Sequence, residues 1–468
     1  MRLRFILLAG NLVLAGCAVG PTYHRPATGT PETYRGQSAP ESATLADTAW
    51  WDLYHDPALT TLVRESFDHG FDARIAAQRV ESARAMAMEA HGQLFPAVGY
   101  GGDAFRGRNS FLGNPYPAGG ATSDFFAPFL SAAWEPDIWG RLRRLDEVAR
   151  NQYLATEEAR RGVLLSLLAE VASDYFQLLE LDDELAIARQ ATASFGDSLK
   201  LFNQRLAGGV ASRLETSSAA AAEAAEAAQV PRLEREIALT ENELSVLLGH
   251  GPGPVARGAA LSDHEAAPNP PAGIPSALLE RRPDVRQAEF AAKSTNAQIG
   301  ATIGSFLPRF GLSAMFGGAS TTLQNVLASR NGAWSVGAQV SGPIFEPYTL
   351  RGEYLQAKAS GELAKLQYEQ TALNAFADVS NALVTRQKLG EVRVQQQRAV
   401  SAYQDAVKVA LQRYKAGEAS YYELLQVQQE LYPAEVLLAQ TQRDELISIV
   451  QLYKALGGGW DLAPAAPK

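Results

Sequence analysis

Cysteine is almost absent from the sequence, since Cys17 is the only one among 468 residues. A single cysteine cannot form a disulfide within one chain, and it cannot supply a Cys-based zinc cage or a CxxC redox pair. The sequence therefore excludes the disulfide-stabilised and thiol-redox classes of protein.

An excess of positive charge is also missing, and so are the motifs of common catalytic sites. The formal net charge is −9, and no basic stripe with interleaved aromatic residues appears, which argues against a nucleic-acid partner. No HExxH, GxSxG, Walker-type GxxxxGK[ST] or strand-linked GxGxxG pattern is present. The histidines show no metal-ligand spacing and stand at positions 24, 55, 69, 91, 250 and 264. We therefore expect no enzymatic activity, no cofactor and no metal site.

The first 16 residues have the composition of a secretory leader, in which two arginines precede a short apolar run. The run is too short to cross a bilayer, which requires about 20 apolar residues. Cys17 directly follows small residues and resembles the acylated cysteine of a bacterial lipobox. We expect residues 1-16 to be a signal peptide and Cys17 to carry lipid. By the resemblance to such lipoproteins, Ala18 in place of Asp after this cysteine implies the outer membrane. The alternative is an ordinary secretory signal followed by a chance cysteine.

Proline is absent from Arg141 to Leu206, and apolar residues recur there at steps of three and four. This pattern predicts a helix with a heptad seam. A helix over this range would be about 100 Å long, which no compact globular domain requires. The seam positions include Leu178, Leu181, Leu185, Ala188, Thr192, Phe195, Leu199, Phe202 and Leu206, and the return helix continues with Val230, Leu233, Ile237, Thr240, Leu244 and Leu247.

Two short stretches at the ends of helix-type sequence match each other at an offset of 208 residues. Arg205–Glu215 reads RLAGGVASRLE and Arg413–Glu423 reads RYKAGEASYYE. Glycine after the last apolar position supplies the left-handed backbone that ends a helix, and serine can cap the next helix. Each stretch therefore predicts a sharp helical hairpin tip. The predicted tip residues are Gly209, Ser212, Gly417 and Ser420.

The two halves of the chain repeat in register as well as in order. Each half reads helix, strand, loop, strand, very long helix, turn and return helix. Pro231 and Pro433 are expected to kink the return helices or to break one hydrogen bond in each. Five seam positions of the second long helix fall 208 residues after five of the first, and they are Val400, Tyr403, Val407, Ala410 and Tyr414.

The repeat gives a predicted division of the whole chain. The signal peptide (1-16) precedes a lipidated N-terminal extension (17-56), a first repeat (57-250), a connector without packed elements (251-282), a second repeat (283-459) and a C-terminal tail (460-468). The first repeat has predicted strands at about 94-107 and 123-136, a long helix at 141-207 and a return helix at 212-248. The second repeat has predicted strands at about 306-317 and 332-345, a long helix at 351-416 and a return helix at 420-457.

The predicted strands carry apolar residues on one face and small or polar residues on the other. The last strand shows this best, because Trp334 and Val336 alternate with Ser335 and Gly337. Such alternation over about 10 residues is typical of an outer-membrane barrel, although a soluble half-buried hairpin has the same pattern. Four strands are too few to close a transmembrane barrel, since the smallest have about 8. A membrane-spanning interpretation therefore requires several chains to share one barrel.

The long helices have thin apolar seams with polar residues between them, so a single chain cannot bury them in a thick core. Association into a ring of helices with a wide polar lumen would solve this problem. An elongated coiled-coil rod without a lumen would also solve it, and periodicity alone does not choose between the two. The combination of long helices, bilayer-type strands and a lipid anchor favours the ring.

Three further segments carry a resemblance to a known family. Ala18–Pro21 reads AVGP, Glu280–Arg286 reads ERRPDVR, and Gly342–Phe345 reads GPIF. Together with the repeat and the paired tips, they resemble the TolC-like outer-membrane efflux factors, specifically their lipoprotein branch, over nearly the whole mature chain. Many members have Asp-Gly-Gly after GPIF, where this chain has Glu346–Thr349 (EPYT), so its strand-to-helix corner is expected to have a different shape.

The resemblance implies an α+β membrane protein that assembles as a homotrimer. Four strands per chain would close a 12-stranded β-barrel in outer-membrane lipid, and the helices would form a periplasmic α-barrel that closes to an iris. A periplasmic adaptor and an inner-membrane RND-type pump would deliver drugs, metal ions or other small molecules into this passive exit duct. The alternative is a non-channel coiled-coil lipoprotein that tethers envelope layers. Neither interpretation identifies the exported substrate or the partner pump.

The resemblance also implies roles for residues at the hairpin tips. The tip residues named above would contact the adaptor, and the periplasmic gate would comprise Glu215, Tyr414, Glu423 and Gln426. A second acidic ring of the family is an amide here at Gln426, and a lock arginine of some members is Ala419 here, so a weaker or differently made lock is expected. The alternative is that Tyr414 is the last seam residue and that both glutamates are first-turn acids favoured by the helix dipole.

Overall fold

The computed structural model of the chain describes residues 18–37, 45, 54–108, 122–264 and 272–458. The predicted signal peptide 1-16, the predicted lipidation site Cys17 and the tail 460-468 lie outside the described residues. Parts of the N-terminal extension, of the loop between the first two strands and of the connector lie outside them as well.

The described residues form long helices and one set of strands. The helices are Pro57–His69 (α1), Phe71–Gly92 (α2), Arg141–Ala207 (α3), Arg213–Ala227 (α4), Gln229–Leu247 (α5), Pro275–Arg281 (α6), Pro283–Gly304 (α7), Thr349–Ala416 (α8) and Tyr421–Ala455 (α9). The strands are Ala97–Arg108 (β1), Thr122–Trp134 (β2), Arg309–Gly318 (β3) and Gly332–Ser341 (β4). The helices α3 and α8 have 67 and 68 residues, so the Pro-free stretches do form very long helices.

These elements fall into two compact units, and each unit takes matching parts of both sequence repeats. Unit 1 contains the described residues within 1–26, 80–156 and 287–368, and unit 2 contains those within 27–79, 157–286 and 369–468. Equivalent positions of the two repeats thus fall in the same unit. The sequence repeats are therefore not the compact units of the fold.

Unit 1 contains an antiparallel sheet with the strand order β1-β2-β3-β4. The register places the even-numbered residues of the four strands on one face, since Tyr100 pairs with Leu130, Leu130 with Phe316, and Phe316 with Trp334. This face is largely apolar, and its exposed large apolar side chains include Val98, Tyr100, Leu130, Leu312, Phe316, Trp334, Val336 and Val340. The sheet therefore presents one continuous apolar surface.

The opposite face of the sheet carries mostly small and polar residues, with Phe105, Phe125 and Phe129 as large exceptions. The cross-strand partners of Phe129 are Gly101 in β1 and Gly317 in β3. A Cβ atom at Gly101 would lie 2.6 Å from the Phe129 ring, so Gly101 leaves the space that the ring fills. Phe125 lies on the same face and stacks on Phe105 at 6.4 Å. These aromatic side chains explain why the second strand alternates weakly in sequence.

The ends of three strands differ from the prediction. The sequence predicts strands from about 94 and about 306, whereas β1 and β3 begin at residues 97 and 309. The intervening residues close one more helical turn, as in the Leu94 amide that donates to the His91 carbonyl at 3.1 Å. The proline that follows in both places has no amide to continue the turn. The strand β4 ends at Ser341 instead of continuing to about 345.

Two predictions about the helices are also wrong in detail. The helix expected at the start of the first repeat is broken at Gly70 into α1 and α2. The connector, expected to lack packed elements, contains α6, which buries Leu278 and Leu279. The proline at the first position of α6, Pro275, is compatible with a helix because the first amides have no intrahelical acceptor.

The two prolines in the return helices have different effects. The return helix predicted at 212-248 is interrupted at Ala228 and consists of α4 and α5. Pro231 then lies in the first turn of α5, where its missing amide breaks no intrahelical bond. Pro433 instead lies inside α9, which continues past it.

Unit 2 is held together along the predicted heptad seams. Leu181 and Ala188 of α3 pack against Leu233 of α5 in one cluster. A second cluster joins α3 with both helices of the second hairpin, and its most buried members include Phe195, Phe202, Tyr414, Tyr421 and Leu424. The last predicted seam position of α3, Leu206, is exposed. The predicted seams therefore form the core up to the tips.

Candidate functional site

Each hairpin tip ends its first helix with the same hydrogen-bond pattern. In the first tip the Gly209 amide donates to the Leu206 carbonyl, and the next amide donates to the Arg205 carbonyl, both at 2.9 Å. The equivalent bonds in the second tip, which begin at the Gly417 amide, measure 3.1 and 2.9 Å. This Schellman arrangement requires a left-handed residue, and φ is 72° at Gly209 and 77° at Gly417. Both glycines therefore end their helices.

A capping box begins the helix that follows each tip. The Ser212 hydroxyl accepts from the Glu215 amide at 3.2 Å, and the Glu215 carboxylate accepts from the Ser212 amide at 2.7 Å. The Ser420 and Glu423 pair makes the same two bonds at 3.4 and 3.3 Å. Both glutamates thus satisfy amides at a helix start. This first-turn role is the alternative that the sequence left open beside a gate role.

Tyr414 lies in an aromatic cluster that joins the two hairpins. Its ring centroid is 5.5 Å from that of Phe202 in α3, and Phe202 is 4.1 Å from Tyr421 in α9. Tyr414, Phe202 and Tyr421 are 6%, 0% and 5% exposed. The guanidinium carbon of Arg205 lies 4.7 Å from the Tyr414 ring centroid, within the range of a cation–π contact. Tyr414 is therefore a buried seam residue that also contacts an arginine of the first hairpin.

Burial raises the pKa of both tyrosine phenols in the cluster. Burial raises the pKa of Tyr414, while the charge and hydrogen bond of Arg205 oppose that rise. Burial, with smaller effects of the neighbouring Tyr414 and Glu215, raises the pKa of Tyr421 to about 12. Glu215 belongs to the first hairpin, so the structure brings this predicted gate residue near Tyr414 of the second hairpin.

The remaining predicted gate residues lie apart from the Tyr414 ring cluster. Glu423 faces its own hairpin, where its carboxylate is 3.6 Å from the guanidinium of Arg413. Gln426 is exposed on α9, and Ala419 is half-buried before the Ser420 cap. Cys17 lies outside the described residues. The structure of one chain therefore groups Tyr414 with Glu215 and leaves Glu423 and Gln426 on the second hairpin alone.

Sequence reasoning missed three members of the cluster. Arg205 marks the start of the first tip motif, Phe202 is a seam position, and Tyr421 fills a variable motif position. Their contacts join residues more than 200 positions apart, which local periodicity does not report. One signal for the cluster was present in the sequence, because the two tips differ in their aromatic residues. The counterparts of Phe202 and Tyr414 at an offset of 208 are the non-aromatic Ala410 and Leu206.

Titratable groups also meet in the helices of unit 2, without the arrangement of a metal site. Glu180 and Glu184 of α3 are both buried, and Glu180 lies 3.2 Å from Arg443 of α9. Gln440 of α9 donates to the Glu184 carboxylate at 2.8 Å. Within the described ranges, no group of three or more His, Cys, Asp or Glu residues could hold a metal ion.

The chain is similar to known proteins along most of its length. The family model described as "Outer membrane efflux protein" matches residues 63–250 and 274–458. The solvent efflux pump outer membrane protein SrpC of Pseudomonas putida is 34% identical over 472 residues, which cover 99% of this chain and 100% of SrpC. The cation efflux system protein CusC of Escherichia coli is 30% identical over 453 residues, which cover 96% and 97% of the two chains.

The similarity extends to a solved structure. The outer-membrane channel OprN superposes with a TM-score of 0.87 at 30% sequence identity, and the match covers 95% of this chain and 100% of OprN. The strands, the long helices and the hairpin tips described above therefore have counterparts in a channel of known structure.

Proposed function

The chain belongs to the outer membrane efflux protein family, and on that premise we propose that three copies of it form one passive exit duct with no catalytic step of its own. The chain is an outer-membrane efflux channel whose helices extend into the periplasm. The proposal concerns how many chains close the duct, what holds it in the membrane, where it is gated and what it binds.

The apolar face of the sheet is the observation that carries the proposal. Its exposed side chains include Val98, Leu130, Phe316 and Val336, one from each strand. An apolar surface of this extent is stable only against lipid or another apolar surface. A coiled-coil tether between envelope layers would leave this face unexplained, so the channel accounts for the chain better than the tether.

The open edges of the sheet support a trimer. β1 and β4 each have one paired neighbour within the described sheet, and an unpaired strand edge does not occur within the hydrocarbon region of a bilayer. Three chains would supply 12 strands, above the minimum of about 8 for a transmembrane barrel. The helix α8 has leucines that are more than half exposed in one chain, at Leu355, Leu363, Leu366 and Leu373. Neighbouring chains in a ring of helices would bury them.

The N-terminal segment supports a lipid anchor at Cys17. Val19, two residues after Cys17, donates through its amide to the Trp139 carbonyl at 3.1 Å and accepts from Arg144 at 3.1 Å. Asn296 of α7 donates to the Pro21 carbonyl at 3.0 Å. Lipid on Cys17 would therefore lie two residues before a segment that is hydrogen-bonded within unit 1.

We place the gate and the adaptor contact at the hairpin tips. Gly209, Ser212, Gly417 and Ser420 shape the surface that would receive a periplasmic adaptor, which would connect the duct to an inner-membrane RND-type pump. Glu215, Tyr414, Glu423 and Gln426 would narrow the iris. SrpC is named for a solvent pump and CusC for a cation system, and we propose a small-molecule cargo that the pump selects.

Native mass spectrometry of the protein extracted from outer membranes tests the assembly. We expect a complex of three mature chains, each of which begins at an acylated Cys17. A Cys17→Ser variant should lose the acyl mass, and a cross-linked adaptor should be recovered with the intact protein. A monomeric mass in every mild detergent would contradict the trimer, and an unmodified Cys17 in a processed chain would contradict the lipid anchor.

A further inference from the structure

The two tip arginines occupy equivalent motif positions and make different contacts. Arg413 stays within the second hairpin, where it lies 3.6 Å from Glu423 and donates to the Glu418 carbonyl at 3.4 Å. Arg205 belongs to the first hairpin, but its guanidinium lies over the ring of Tyr414 in the second hairpin, 4.7 Å from the centroid. Of these two arginines, Arg205 therefore links the hairpins.

The surroundings of Tyr414 make this contact stronger than one on an open surface. Tyr414 is 6% exposed and Phe202, which packs against its ring edge to face at 5.5 Å, is fully buried. A cation–π contact strengthens as its groups lose water. The buried phenol has a raised pKa despite the opposing effect of Arg205, so at neutral pH the arginine meets a neutral aromatic face and not a phenolate.

The contact between Arg205 and Tyr414 lies near Ala419, the position at which the sequence lacks the expected lock arginine. Position 419 is Ala419, which has no charged group to hold a neighbouring coil. Glu423 is engaged by its own hairpin. Arg205 is thus the cation that touches Tyr414 among the contacts of the described tips.

We propose that Arg205 is the positioning residue of the gate, which holds Tyr414 against Phe202 and thereby fixes the second hairpin to the first within one chain. The inference rests on the proposed gate at the hairpin tips. Movement of the second hairpin away from the first would separate the guanidinium from the ring, so release of this contact is a step in opening. The lock that the sequence predicted to be weak is made by a residue of the first tip.

Single-channel recording of the reconstituted full-length mature protein tests the proposal. Arg205→Ala should raise the fraction of time spent in the open state by roughly fivefold, the factor expected for one partly desolvated cation–π contact. Arg413→Ala is the matched comparison, because it removes the equivalent arginine, whose contacts to Glu423 and Glu418 lie within the second hairpin, and it should raise the open fraction clearly less than Arg205→Ala does.

Two conservative variants separate the ring contact from a hydroxyl lock. Arg205→Lys keeps a cation and should restore most of the closed fraction, and Tyr414→Phe keeps the aromatic face and should remain mostly closed. Tyr414→Leu removes the face and should open the channel as Arg205→Ala does. Trimer mass and thermal unfolding of each variant identify any variant that fails to fold.

The outcomes distinguish this inference from the proposed function. A wild-type trimer that conducts, with an Arg205→Ala variant of unchanged open fraction, overturns the role of Arg205 alone. Equal opening by Arg205→Ala and Arg413→Ala also overturns it, since a general loss of tip charge would then be responsible. A wild-type protein that never conducts would instead contradict the channel itself.

Discussion

The guanidinium of Arg25 donates to both carboxylate oxygens of Glu289 in α7, at 3.1 and 2.6 Å. Arg25 is eight residues beyond Cys17 in the chain, and Glu289 is buried. Lys293, one turn further along α7, lies 2.9 Å from the same carboxylate. The two cations keep the pKa of Glu289 below its usual range although burial alone would raise it. This ion pair fastens the segment that follows the proposed lipid anchor.

Arg25→Ala should loosen that segment, although the bond from Asn296 of α7 to Pro21 remains. The variant leaves Glu289 with Lys293 as its cation and removes the two hydrogen bonds between Arg25 and Glu289, so amide exchange over residues 18–26 should increase by about tenfold, or about 1.4 kcal/mol. Hydrogen–deuterium exchange with peptide resolution measures this change.

Arg84→Ala is a suitable control for the Arg25 variant. Arg84 and Glu81 are both largely exposed and 3.9 Å apart, and such surface pairs contribute little to stability. Unchanged exchange over residues 18–26 in Arg25→Ala would show that the segment is held by other contacts.

The stability of unit 2 should depend on pH through Glu180. Burial, together with the hydrogen bond and charge of Glu184, raises the pKa of Glu180 to about 8 against the opposing effect of Arg443. A carboxyl group with a raised folded-state pKa binds more protons when folded, so the unfolding free energy falls as pH rises from the unfolded value of about 4.3 toward about 8. Melting curves across this window should show the decrease.

Glu180→Gln should remove most of this pH dependence, because the amide resembles the protonated acid. At about pH 8 the variant should be more stable than the wild type by on the order of 2 kcal/mol. Glu81→Gln changes an exposed carboxylate and should leave the slope as it is. A wild-type melting temperature that stays constant over the window would refute the buried, proton-sharing state of Glu180.

Alanine at two glycines of the first hairpin should have opposite effects. Gly209 has φ of 72°, whereas Gly196 lies inside α3, and an added Cβ would meet nothing within 4 Å at either position. Gly209→Ala should therefore cost about 1–2 kcal/mol of backbone strain. Gly196→Ala should instead stabilise the helix by about 0.5–1 kcal/mol. Chemical denaturation measures the free energy of unfolding of both variants. Destabilisation by both substitutions would show that packing of the added methyl group, and not backbone conformation, determines the effect.

Arginine on the two faces of β4 should distinguish a lipid-facing side from a lumen-facing side. Val336 lies on the apolar face and is 76% exposed, and Ser335 points to the opposite face. In a barrel, Val336→Arg should cost about 2–4 kcal/mol near the bilayer midplane, and Ser335→Arg should cost much less. Urea unfolding in lipid vesicles measures both. Similar losses for the two variants would count against a bilayer on the apolar face.

Glu423→Gln should change the ion preference of the duct without breaking the second tip. Glutamine at this position can still complete the capping box with Ser420, while the negative charge is removed. We expect a lower preference for cations, measured as a shift in reversal potential across a salt gradient. Glu362→Gln removes an exposed charge on α8 and serves as the control. An unchanged reversal potential in Glu423→Gln would exclude Glu423 from the narrow part of the pore.

Local chemistry made much of this structure predictable. The left-handed Gly209 and Gly417 follow from the stop of the apolar pattern, and the apolar sheet face follows from a period of two. Both features are determined by residues that are close in sequence, so the sequence of one chain is enough to predict them. The predicted strand starts fall too early because the alternation of apolar and polar residues continues through a turn that is defined by its hydrogen bonds.

Contacts between distant segments could not be predicted in the same way. Arg205 and Tyr414 belong to different repeats, and nothing in either motif shows that one arginine crosses to the other hairpin while Arg413 does not. The pairing of Phe129 with Gly101 and Gly317 likewise depends on the register of three strands. Such contacts become visible only when the packing is known.

The most direct test of the duct is the current through a planar lipid bilayer that contains the mature wild-type protein. We predict discrete conductance steps from trimeric protein, and larger steps or more frequent openings after Glu423→Ala. No conductance from correctly assembled trimers under any voltage or salt condition would contradict the channel.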